Sequence, residues 1–560
     1  MKRTRTIAAG VGVAALLAAG WTGWTGWQAA QRLQDARDAV RDLRAAVEAD
    51  DADARSAAAD RLIVEARGAR AATDGPWWGA LGHLPVVGDD LGAVSALSAS
   101  LDELASIAVP PLLEAADLLP DVQAGRGVDL RAPDRLATPV ATAAAAAARA
   151  EDPVADVDAG GPVGPVRDGV EEYVDELDGL ARGLASGETA VAVLPRMLGA
   201  EGPRDYLVLF QNNAEIRATG GMPGSFARLH AEDGVLTMHD RGTASGLGER
   251  ATPVLPLSPE EREVYGEQLG SYFHDVGFTP DFPRAAELAE ARWEEAHPRV
   301  ELDGVLATDP VALSYVMDGT APVRVAGRTL TADNVVFELL SRPYLELAPE
   351  SRDLFFARAA GTVLDAITGD VTSPMDFVGG LTRAAREGRF LVAVDDPTVS
   401  DALAGTAVEG ALTGDDGDVP HVDVDVNDAT GSKMSYYLRH DVALTADACA
   451  ADGSRTLTGA MTLRREISPA EAAKLPPSVT GGGHFGTEPG TQLLLLRLHA
   501  PCAPEPSPPC RWRGSRSTSP RSPSRAARWS RSRSRSRAAR SRLRGRWTPL
   551  RDRPRPPSCE

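Results

Sequence analysis

The sequence predicts an α+β protein, with helices in its N-terminal part, a mixed α/β middle and strands towards its C-terminus. Apolar residues recur at helical spacing up to about residue 198, and short apolar runs separated by glycines replace them from residue 199. From residue 414 on, valines alternate with polar residues, as in Val422-Asp-Val-Asp-Val426, which is the period of a strand with one buried face. A chain of 560 residues with 43% hydrophobic content is long enough for several such domains.

The N-terminus predicts a single membrane anchor. Residues 1–6 are a basic tip with Lys2, Arg3 and Arg5, and residues 7–27 contain no charged residue. At about 1.5 Å per residue, a helix over 7–27 roughly matches the ~30 Å hydrocarbon core of a bilayer. The basic tip predicts that the N-terminus is cytoplasmic and that the body is extracytoplasmic, which makes the chain a single-pass protein of the cell membrane.

A cleavable signal peptide is the alternative interpretation of this stretch. Ala18-Ala19-Gly20 is a small-residue sequence of the kind that precedes cleavage. The apolar run is longer than an ordinary signal core, however, and helical patterning continues directly beyond it. Three tryptophans with a spacing of three, Trp21, Trp24 and Trp27, also suit the headgroup layer at the outer end of a retained anchor.

Residues 28–198 are predicted to form a helical stalk or bundle. After the anchor, apolar residues alternate between spacings of three and four, the pattern of a heptad seam that needs a helical partner. The seam consists of Leu33, Ala36, Val40, Leu43 and Val47. Further helices are expected at about 53–73, 89–119 and 141–150 and, after a Gly/Pro-rich linker, at 166–180.

Residues 199–413 are predicted to form a mixed α/β domain. Strands are expected at 206–210, 225–230, 235–239, 305–307 and 323–325, where apolar runs are short. Helices are expected at 283–296 and 310–317. Thr331-Ala-Asp-Asn334 is typical of a capped helix start, and this helix is expected to reach Leu340.

Residues 414–500 are predicted to form an antiparallel, β-sandwich-like domain, with further strands at 436–444, 455–464 and 492–498. Residues 501–560 are an Arg/Ser/Pro-rich tail with 17 Arg, 3 acidic residues and no Lys, and we expect this tail to be disordered. Its RS-type repeats have the composition of a nucleic-acid-binding segment, but an exported tail meets no nucleic acid. Out-of-frame translation of GC-rich DNA explains the composition better, and it predicts that the β domain is truncated with an unpaired edge.

Charge and cysteine content exclude several classes of function. The net charge is −20 although the tail is strongly basic, so the body is acidic and nucleic acid is not expected as its partner. Only Cys449 lies in the body, which argues against a disulfide scaffold and leaves open whether this residue has a disulfide partner. The sequence contains no H-E-x-x-H, G-x-x-x-x-G-K or G-x-S-x-G motif, and residue spacing predicts no metal site.

The densest cluster of polar residues is the segment Gln211-Asn-Asn-Ala-Glu-Ile-Arg-Ala-Thr-Gly-Gly221, directly after a predicted strand. Paired glycines let backbone N–H groups approach an anion, and arginine binds phosphate or carboxylate in a bidentate manner. Glu215 and Arg217 are therefore candidate catalytic residues. The ligand-binding candidates of this segment are Asn212, Asn213, Arg217, Gly220 and Gly221. The alternative is a structural turn in which Arg217 and Glu215 pair with each other.

The run from Tyr206 to Gly221 resembles the hallmark segment of the domain-of-unknown-function family 4012, which is found in anchored bacterial envelope proteins. Three more segments are similar to the same family: Asp275-Val-Gly-Phe-Thr-Pro-Asp-Phe-Pro283, Asp303-Gly-Val-Leu-Ala-Thr-Asp-Pro-Val-Ala-Leu313 and Asn427-Asp-Ala-Thr-Gly-Ser-Lys-Met434. The resemblance spans about residues 200–500. It implies an extracytoplasmic envelope protein, and it implies no particular reaction because none is established for the family.

A second resemblance is to the LytR-CpsA-Psr family of envelope phosphotransferases, which transfer glycopolymers from polyprenyl pyrophosphate to peptidoglycan. It rests on the order and spacing of the segments 303–325, 330–335 and 341–344. It implies that Arg217 and Arg342 bind a pyrophosphate while Asp275, Asp281 or Asp309 holds Mg²⁺ as a catalytic residue. The second arginine of that family's phosphate-binding pair and its early Arg-Asp pair have no equivalent here.

Two functions are therefore expected from the sequence. The first is that of a non-catalytic envelope protein that scaffolds or binds cell-wall glycan or another surface component. The alternative is that of a phosphotransferase-like enzyme acting on polyprenyl-pyrophosphate-linked glycopolymers, with Mg²⁺ as its cofactor. The sequence leaves open whether the protein is an enzyme.

Overall fold

The computed structural model describes residues 2–49, 51–75, 78, 88–124, 127–155, 157, 164–369, 371–412, 422–446, 455–499, 512–515, 533–535 and 539–547. For residues 2–22 and for the segments after residue 500, the description is of the backbone alone. The chain divides into two compact units. Unit 1 comprises residues 1–202 and 232–235, and unit 2 comprises residues 203–231 and 236–560.

Unit 1 is helical and contains the predicted anchor and stalk. Its described α-helices are α1 (Lys2–Glu48), α2 (Ala52–Thr73), α3 (Gly88–Glu103), α4 (Val109–Leu118), α5 (Ala132–Ala155) and α6 (Gly164–Met197), and a short hairpin is formed by β1 (Gln123–Ala124) and β2 (Gly127–Val128). The backbone of α1 is helical without interruption from the predicted anchor into the bundle. The side chains of residues 1–22, which carry most of the anchor prediction, lie outside the described residues.

Alanines form the contact between α1 and α2. Among the residues of α1 whose side chains are described, Ala29, Ala36, Ala39 and Ala46 are buried, and α2 buries Ala58, Ala59, Leu62, Ala66 and Ala69. The predicted heptad seam is wrong at Val40, which is 38% exposed, and of the predicted residues only Ala36 is fully buried. Small side chains let two helix backbones approach closely. The alanines therefore form the contact between the helices, and the larger apolar residues lie beside it.

One helical stretch among the described residues, Gly88–Leu118, is long and apolar enough to cross a membrane. It consists of α3, a π-helical turn at Leu104–Ala108, and α4. Pro110 and Pro111 lack the N–H groups that an α-helix uses, which accounts for the wider turn before them. Within unit 1 the stretch makes buried polar contacts, since the Ser100 hydroxyl donates to the Ala150 carbonyl at 2.6 Å. Such contacts are typical of a helix inside a bundle.

Unit 2 is built on a mixed sheet whose strand order is β5-β4-β3-β6-β9. The strands are β3 (Arg204–Asn212), β4 (Met222–Glu232), β5 (Val235–Thr243), β6 (Gly304–Thr308) and β9 (Phe390–Val394), and a separate hairpin is formed by β7 (Val323–Val325) and β8 (Arg328–Leu330). Strand β3 pairs in parallel with β6, while β4 and β9 are antiparallel to their neighbours β3 and β6. The carboxyl ends of β3 and β6 therefore meet at one edge of the sheet.

Unit 2 also contains eleven described α-helices. They are α7 (Pro259–Val264), α8 (Gln268–Ser271), α9 (Phe282–Ala296), α10 (Pro310–Met317), α11 (Val335–Leu340), α12 (Arg342–Glu346), α13 (Pro349–Gly369), α14 (Pro374–Arg386), α15 (Pro397–Leu403), α16 (Pro469–Ala472) and α17 (Pro477–Thr480). The main hydrophobic core lies between the sheet and α9, where Leu207 and Val305 of the strands share one cluster with Leu288 and Trp293.

Two antiparallel sheets follow within unit 2. One pairs β10 (Asp423–Asp428) with β13 (Leu493–His499), and the other pairs β11 (Leu438–Ala446) with β12 (Arg455–Arg465). Val426 and Leu494 of the first sheet share a hydrophobic cluster with Leu438, Met461 and Leu463 of the second. The α+β class is thus confirmed, and the strands of the predicted 414–500 domain lie in the same compact unit as the α/β part.

The tail differs from the predicted disorder over three segments. Strands β14 (Trp512–Ser515) and β16 (Ala539–Trp547) extend the β11-β12 sheet, and β15 (Arg533–Arg535) pairs with β13. The edges of β12 and β13 each pair with a strand of the tail. The remainder of residues 501–560 lies outside the described part of the chain.

Helices α10 and α14 cross at unusually short range because glycines lie at their contact. A Cβ atom added to Gly380 of α14 would lie 2.3 Å from the carbonyl oxygen of Tyr315 and 2.9 Å from the Cα atom of Val316. A Cβ atom added to Gly319, two residues after the end of α10, would lie 2.4 Å from the backbone nitrogen of Phe377. The neighbouring Gly379 has open space around it.

A group of carboxylates lies where α9 faces the amino ends of the sheet strands. Burial and the nearby negative charges, chiefly Asp395 and Glu294, raise the pKa of Glu290 from 4.5 to about 7. Asp303 also faces this group, and its own ion pair is with Arg204 at 2.7 Å. Folded unit 2 therefore binds a proton at Glu290 more tightly than the unfolded chain does.

We expect Glu290→Gln to make the stability of unit 2 less sensitive to pH. In the native chain the free energy of unfolding should fall as pH rises from about 4.5 through about 7. Because Glu290 is half-buried and solvent screens its charge, the gain from the substitution at pH 8 should be only about 1 kcal/mol. Urea unfolding at pH 5 and pH 8 checks this, with the exposed Glu301→Gln as control. An equally steep pH dependence in Glu290→Gln would contradict it.

Candidate functional site

The polar segment singled out by the sequence forms the connection between β3 and β4, at the edge where β3 and β6 end. The turn is closed by backbone hydrogen bonds from Gly220 to Arg217 at 2.9 Å and from Met222 to Glu215 at 3.0 Å. Gly220 has φ +121°, and a Cβ atom on Gly221 would lie 2.5 Å from the carbonyl carbon of Asn212. Both glycines are therefore needed to fold the turn, which is a structural reason for their presence.

Glu215 and Arg217 form a buried ion pair at the centre of this turn. Arg217 donates from Nη2 to Oε1 of Glu215 at 2.9 Å, and the side chain of Lys433 donates to the other carboxylate oxygen. Burial alone would raise the pKa of Glu215, but Lys433 and Arg217 lower it to about 2. The charge of Glu215 also outweighs the burial of Lys433, so the pKa of Lys433 is raised. Glu215 and Lys433 therefore remain charged at neutral pH.

Arg217 has further contacts that fix its position. It donates from Nη1 to the Asp428 carbonyl at 2.9 Å, and its guanidinium lies 4.5 Å from the ring centroid of Phe278. Asp275 lies 3.6 Å from Nη2 of Arg217, and burial raises the pKa of Asp275 despite the nearby His274 and Arg217. Arg217 is only 4% exposed, so little of its guanidinium faces solvent.

The segment 427–434, for which the sequence predicts a resemblance to the same family, packs against this turn. Asn427 accepts a hydrogen bond from the Ala218 N–H group at 3.0 Å. Asp428 is fully buried and accepts from Gln492 Nε2 at 2.9 Å, from the Thr430 N–H group at 2.7 Å and from Ser432 Oγ at 3.2 Å. These donors are uncharged, so a buried carboxylate is held by hydrogen bonds from its own segment and from Gln492.

Tyr344 extends the cluster and is the hydrogen-bond partner of the Asn212 side chain. The side-chain amide of Asn212 donates to the Tyr344 hydroxyl at 2.6 Å, and Lys433 Nζ lies 5.3 Å from the centroid of the Tyr344 ring. Burial raises the pKa of Tyr344. Lys433, Asp428 and Tyr344 were not predicted as site residues. The signal for Lys433 and Asp428 was present, because both lie in the segment Asn427–Met434 that carries the family resemblance.

Asn213 and Asp309 form a second group, at the carboxyl ends of β3 and β6. Oδ1 of Asp309 accepts from the N–H groups of Val311 and Ala312 at 2.8 and 2.7 Å and so caps α10. Oδ2 of Asp309 accepts from Asn213 Nδ2 at 2.7 Å and from Arg389 Nη1 at 3.0 Å. The carboxylate of Asp309 is thus occupied by four donors and acts as a helix cap.

Arg342 and Asp281 have partners of their own outside the Arg217 cluster. Arg342 is exposed over 37% of its side chain and pairs with Glu338 at 2.5 Å and Glu346 at 3.0 Å. Asp281 precedes α9, and its Oδ1 accepts from the Leu412 N–H group at 3.1 Å. Asp275, Asp281 and Asp309 have different partners, and the assignment of one of them to Mg²⁺ stays a prediction. Among the described residues, no group of three or more His, Cys, Asp or Glu side chains is arranged for a metal.

Unit 2 is therefore a compact α+β unit whose polar strand-end cluster is buried and internally ion-paired. Residues 201–344 match the model of the family described as Protein of unknown function (DUF4012), which confirms the resemblance for that segment. The comparisons do not show the likeness to the LytR-CpsA-Psr family. Searches of curated proteins and of solved structures found no match.

Proposed function

We propose that this protein is a membrane-anchored, extracytoplasmic envelope protein that scaffolds or binds a glycan of the cell wall or cell surface without transforming it. The observation that carries the proposal is that Glu215, Arg217 and Lys433 are buried and ion-paired with one another. A group that grips a phosphate or transfers a proton needs free hydrogen-bonding capacity facing a cleft. Here Arg217 and Lys433 are both hydrogen-bonded to the same buried carboxylate, Glu215, which favours a structural role for this polar segment.

The anchored location is supported by α1. Its helix continues from the apolar stretch 7–27 into the alanine seam of unit 1, so cleavage near Gly20 would cut within one continuous element. The even distribution of charge after residue 27 and the basic tip before residue 7 favour an extracytoplasmic body.

An exposed aromatic ring offers a first contact for a glycan. Phe485 is 58% exposed and lies on the glycine-rich loop between α17 and β13, with its ring directly over Gly431. An exposed ring that is supported from behind presents a flat apolar face, which is the surface on which the C–H face of a sugar ring stacks. Polar side chains adjoin it on the same loop, including His484 and Glu488.

We expect the full-length protein in detergent to co-sediment with isolated cell-wall sacculi, and Phe485→Ala to reduce the bound fraction several-fold. The matched control is Phe337→Ala, because Phe337 is also exposed but faces Arg342 instead. Equal binding by all three proteins would show that Phe485 does not contribute to glycan binding. No binding by the native protein would contradict the glycan proposal. Mg²⁺-dependent consumption of a polyprenyl-pyrophosphate-linked glycan, lost in Arg217→Lys, would instead establish the phosphotransferase alternative.

A further inference from the structure

Three tryptophans mark one end of the bundle in unit 1. Trp24 and Trp27 lie one turn apart on α1 with ring centroids 5.4 Å apart, and they are 55% and 56% exposed. Trp78 is buried instead, and its indole N–H group donates to the Leu91 carbonyl at 2.9 Å. The rings of Trp24 and Trp27 are exposed, whereas Trp78 packs between α1 and the start of α3.

Trp78 lies at the level of Gly26 on α1. A Cβ atom on Gly26 would lie 3.6 Å from the six-membered ring of Trp78, so the indole packs directly on α1 at this glycine. Through its hydrogen bond to Leu91, the same indole fixes the first turn of α3 beside α1. The end of α2 and the start of α3 therefore lie level with the exposed rings of Trp24 and Trp27.

Ion pairs along α1 and α2 support the same alignment. Arg32 pairs with Glu65 at 2.6 Å, and Arg61 pairs with Asp42 at 2.8 Å, so the two helices are antiparallel. Continuing this register towards the N-terminus of α1 places the end of α2, at Asp74 and Gly75, opposite Gly26. In the other direction, Ala49 lies roughly 35 Å from Gly26 at the usual helical rise.

We propose that this end of unit 1, formed by Gly26, Asp74-Gly75, Trp78 and Gly88–Leu91, rests on the lipid headgroup layer at the outer face of the membrane. The inference relies on the anchor of the proposed function. Its partner is a lipid surface because the patch is continuous with the apolar stretch 7–27, and because exposed tryptophans favour the boundary between headgroups and water. The acidic Asp74, Asp89 and Asp90 suit zwitterionic headgroups better than anionic ones.

Lipid-dependent quenching of a site-specific fluorophore tests this placement. The full-length chain, with its four cysteines replaced by serine, is labelled at Gly75→Cys or at Ala49→Cys and reconstituted in phosphatidylcholine vesicles. Gly75 has open space for a side chain and Ala49 is exposed, so both positions accept a label. A nitroxide on the lipid headgroup should quench the label at position 75 several-fold more strongly than the label at position 49.

The possible failures are distinguishable. Equal quenching of the two labels, or no quenching at position 75 in protein that sediments with the vesicles, would overturn the placement and leave the anchor intact. Protein that stays in the supernatant would overturn the anchor of the proposed function and this inference with it. Stronger quenching at position 49 would mean that the opposite end of the bundle faces the membrane.

Discussion

Arg217→Met should lower the free energy of unfolding of unit 2 by about 2–3 kcal/mol, because it leaves buried Glu215 with Lys433 alone and leaves the Asp428 carbonyl without this buried donor. The substitution keeps most of the apolar length of the side chain but removes both donors, to Glu215 and to the Asp428 carbonyl. The contact with the Phe278 ring is weakened as well. Urea unfolding of the detergent-solubilised full chain, followed by hydrogen exchange of peptides from β3 and β6, measures the loss.

Arg342→Met is the matched control for this experiment. Arg342 was predicted to bind the same ligand as Arg217, but it is 37% exposed and pairs with exposed Glu346 and with buried Glu338, which keeps Arg328 as a second partner. Because solvent screens the charge of Arg342, we expect Arg342→Met to lower the free energy of unfolding much less than Arg217→Met does. A protein with Arg217→Met that is as stable as the native chain would refute the structural role of the cluster.

Gly380→Ala should cost about 3 kcal/mol or more, the upper end of the range for an overpacked contact. The added methyl group would lie 2.3 Å from the Tyr315 carbonyl oxygen, and a backbone atom cannot rotate away as a side chain can. Helices α10 and α14 would have to separate, which also disturbs the Asp309 cap at the start of α10.

The neighbouring glycine provides an internal comparison for that substitution. Gly379 lies in the same helix with nothing within 4 Å of its added Cβ atom, so Gly379→Ala should stabilise α14 by about 0.5–1 kcal/mol. Thermal unfolding of the two variants side by side should give shifts of opposite sign. A loss of similar size in both would mean that the helix contact is looser than the structure has it.

The elements of unit 2 were largely predictable because their burial is encoded locally. The predicted helix at 310–317 and strand at 323–325 agree with α10 and β7, and the helix at 283–296 begins one residue earlier in the structure. The seam of α1 was not predictable from hydropathy, since alanine counts as weakly apolar. Alanine is favoured in the contact because it lets the two helix backbones approach closely, and this approach depends on the partner helix.

One part of the candidate site could likewise be predicted from local sequence, and the other part could not. The pairing of Arg217 with Glu215 is two residues apart in sequence, and the structural-turn alternative anticipated it. Lys433, which donates to Glu215, lies 218 residues after it in the chain. Asp428, whose carbonyl accepts from Arg217, lies 211 residues after Arg217. No local pattern relates such distant positions, so the segments could be recognised separately while their contact could not.

The same separation has a consequence for how the chain reaches its final state. Contacts between residues more than 200 positions apart form slowly, because a long loop must close before they stabilise anything. During synthesis the turn at 213–221 is made long before the segment at 427–434. Until that segment is present, Glu215 and Arg217 lack Lys433, and the incomplete unit is exposed to aggregation.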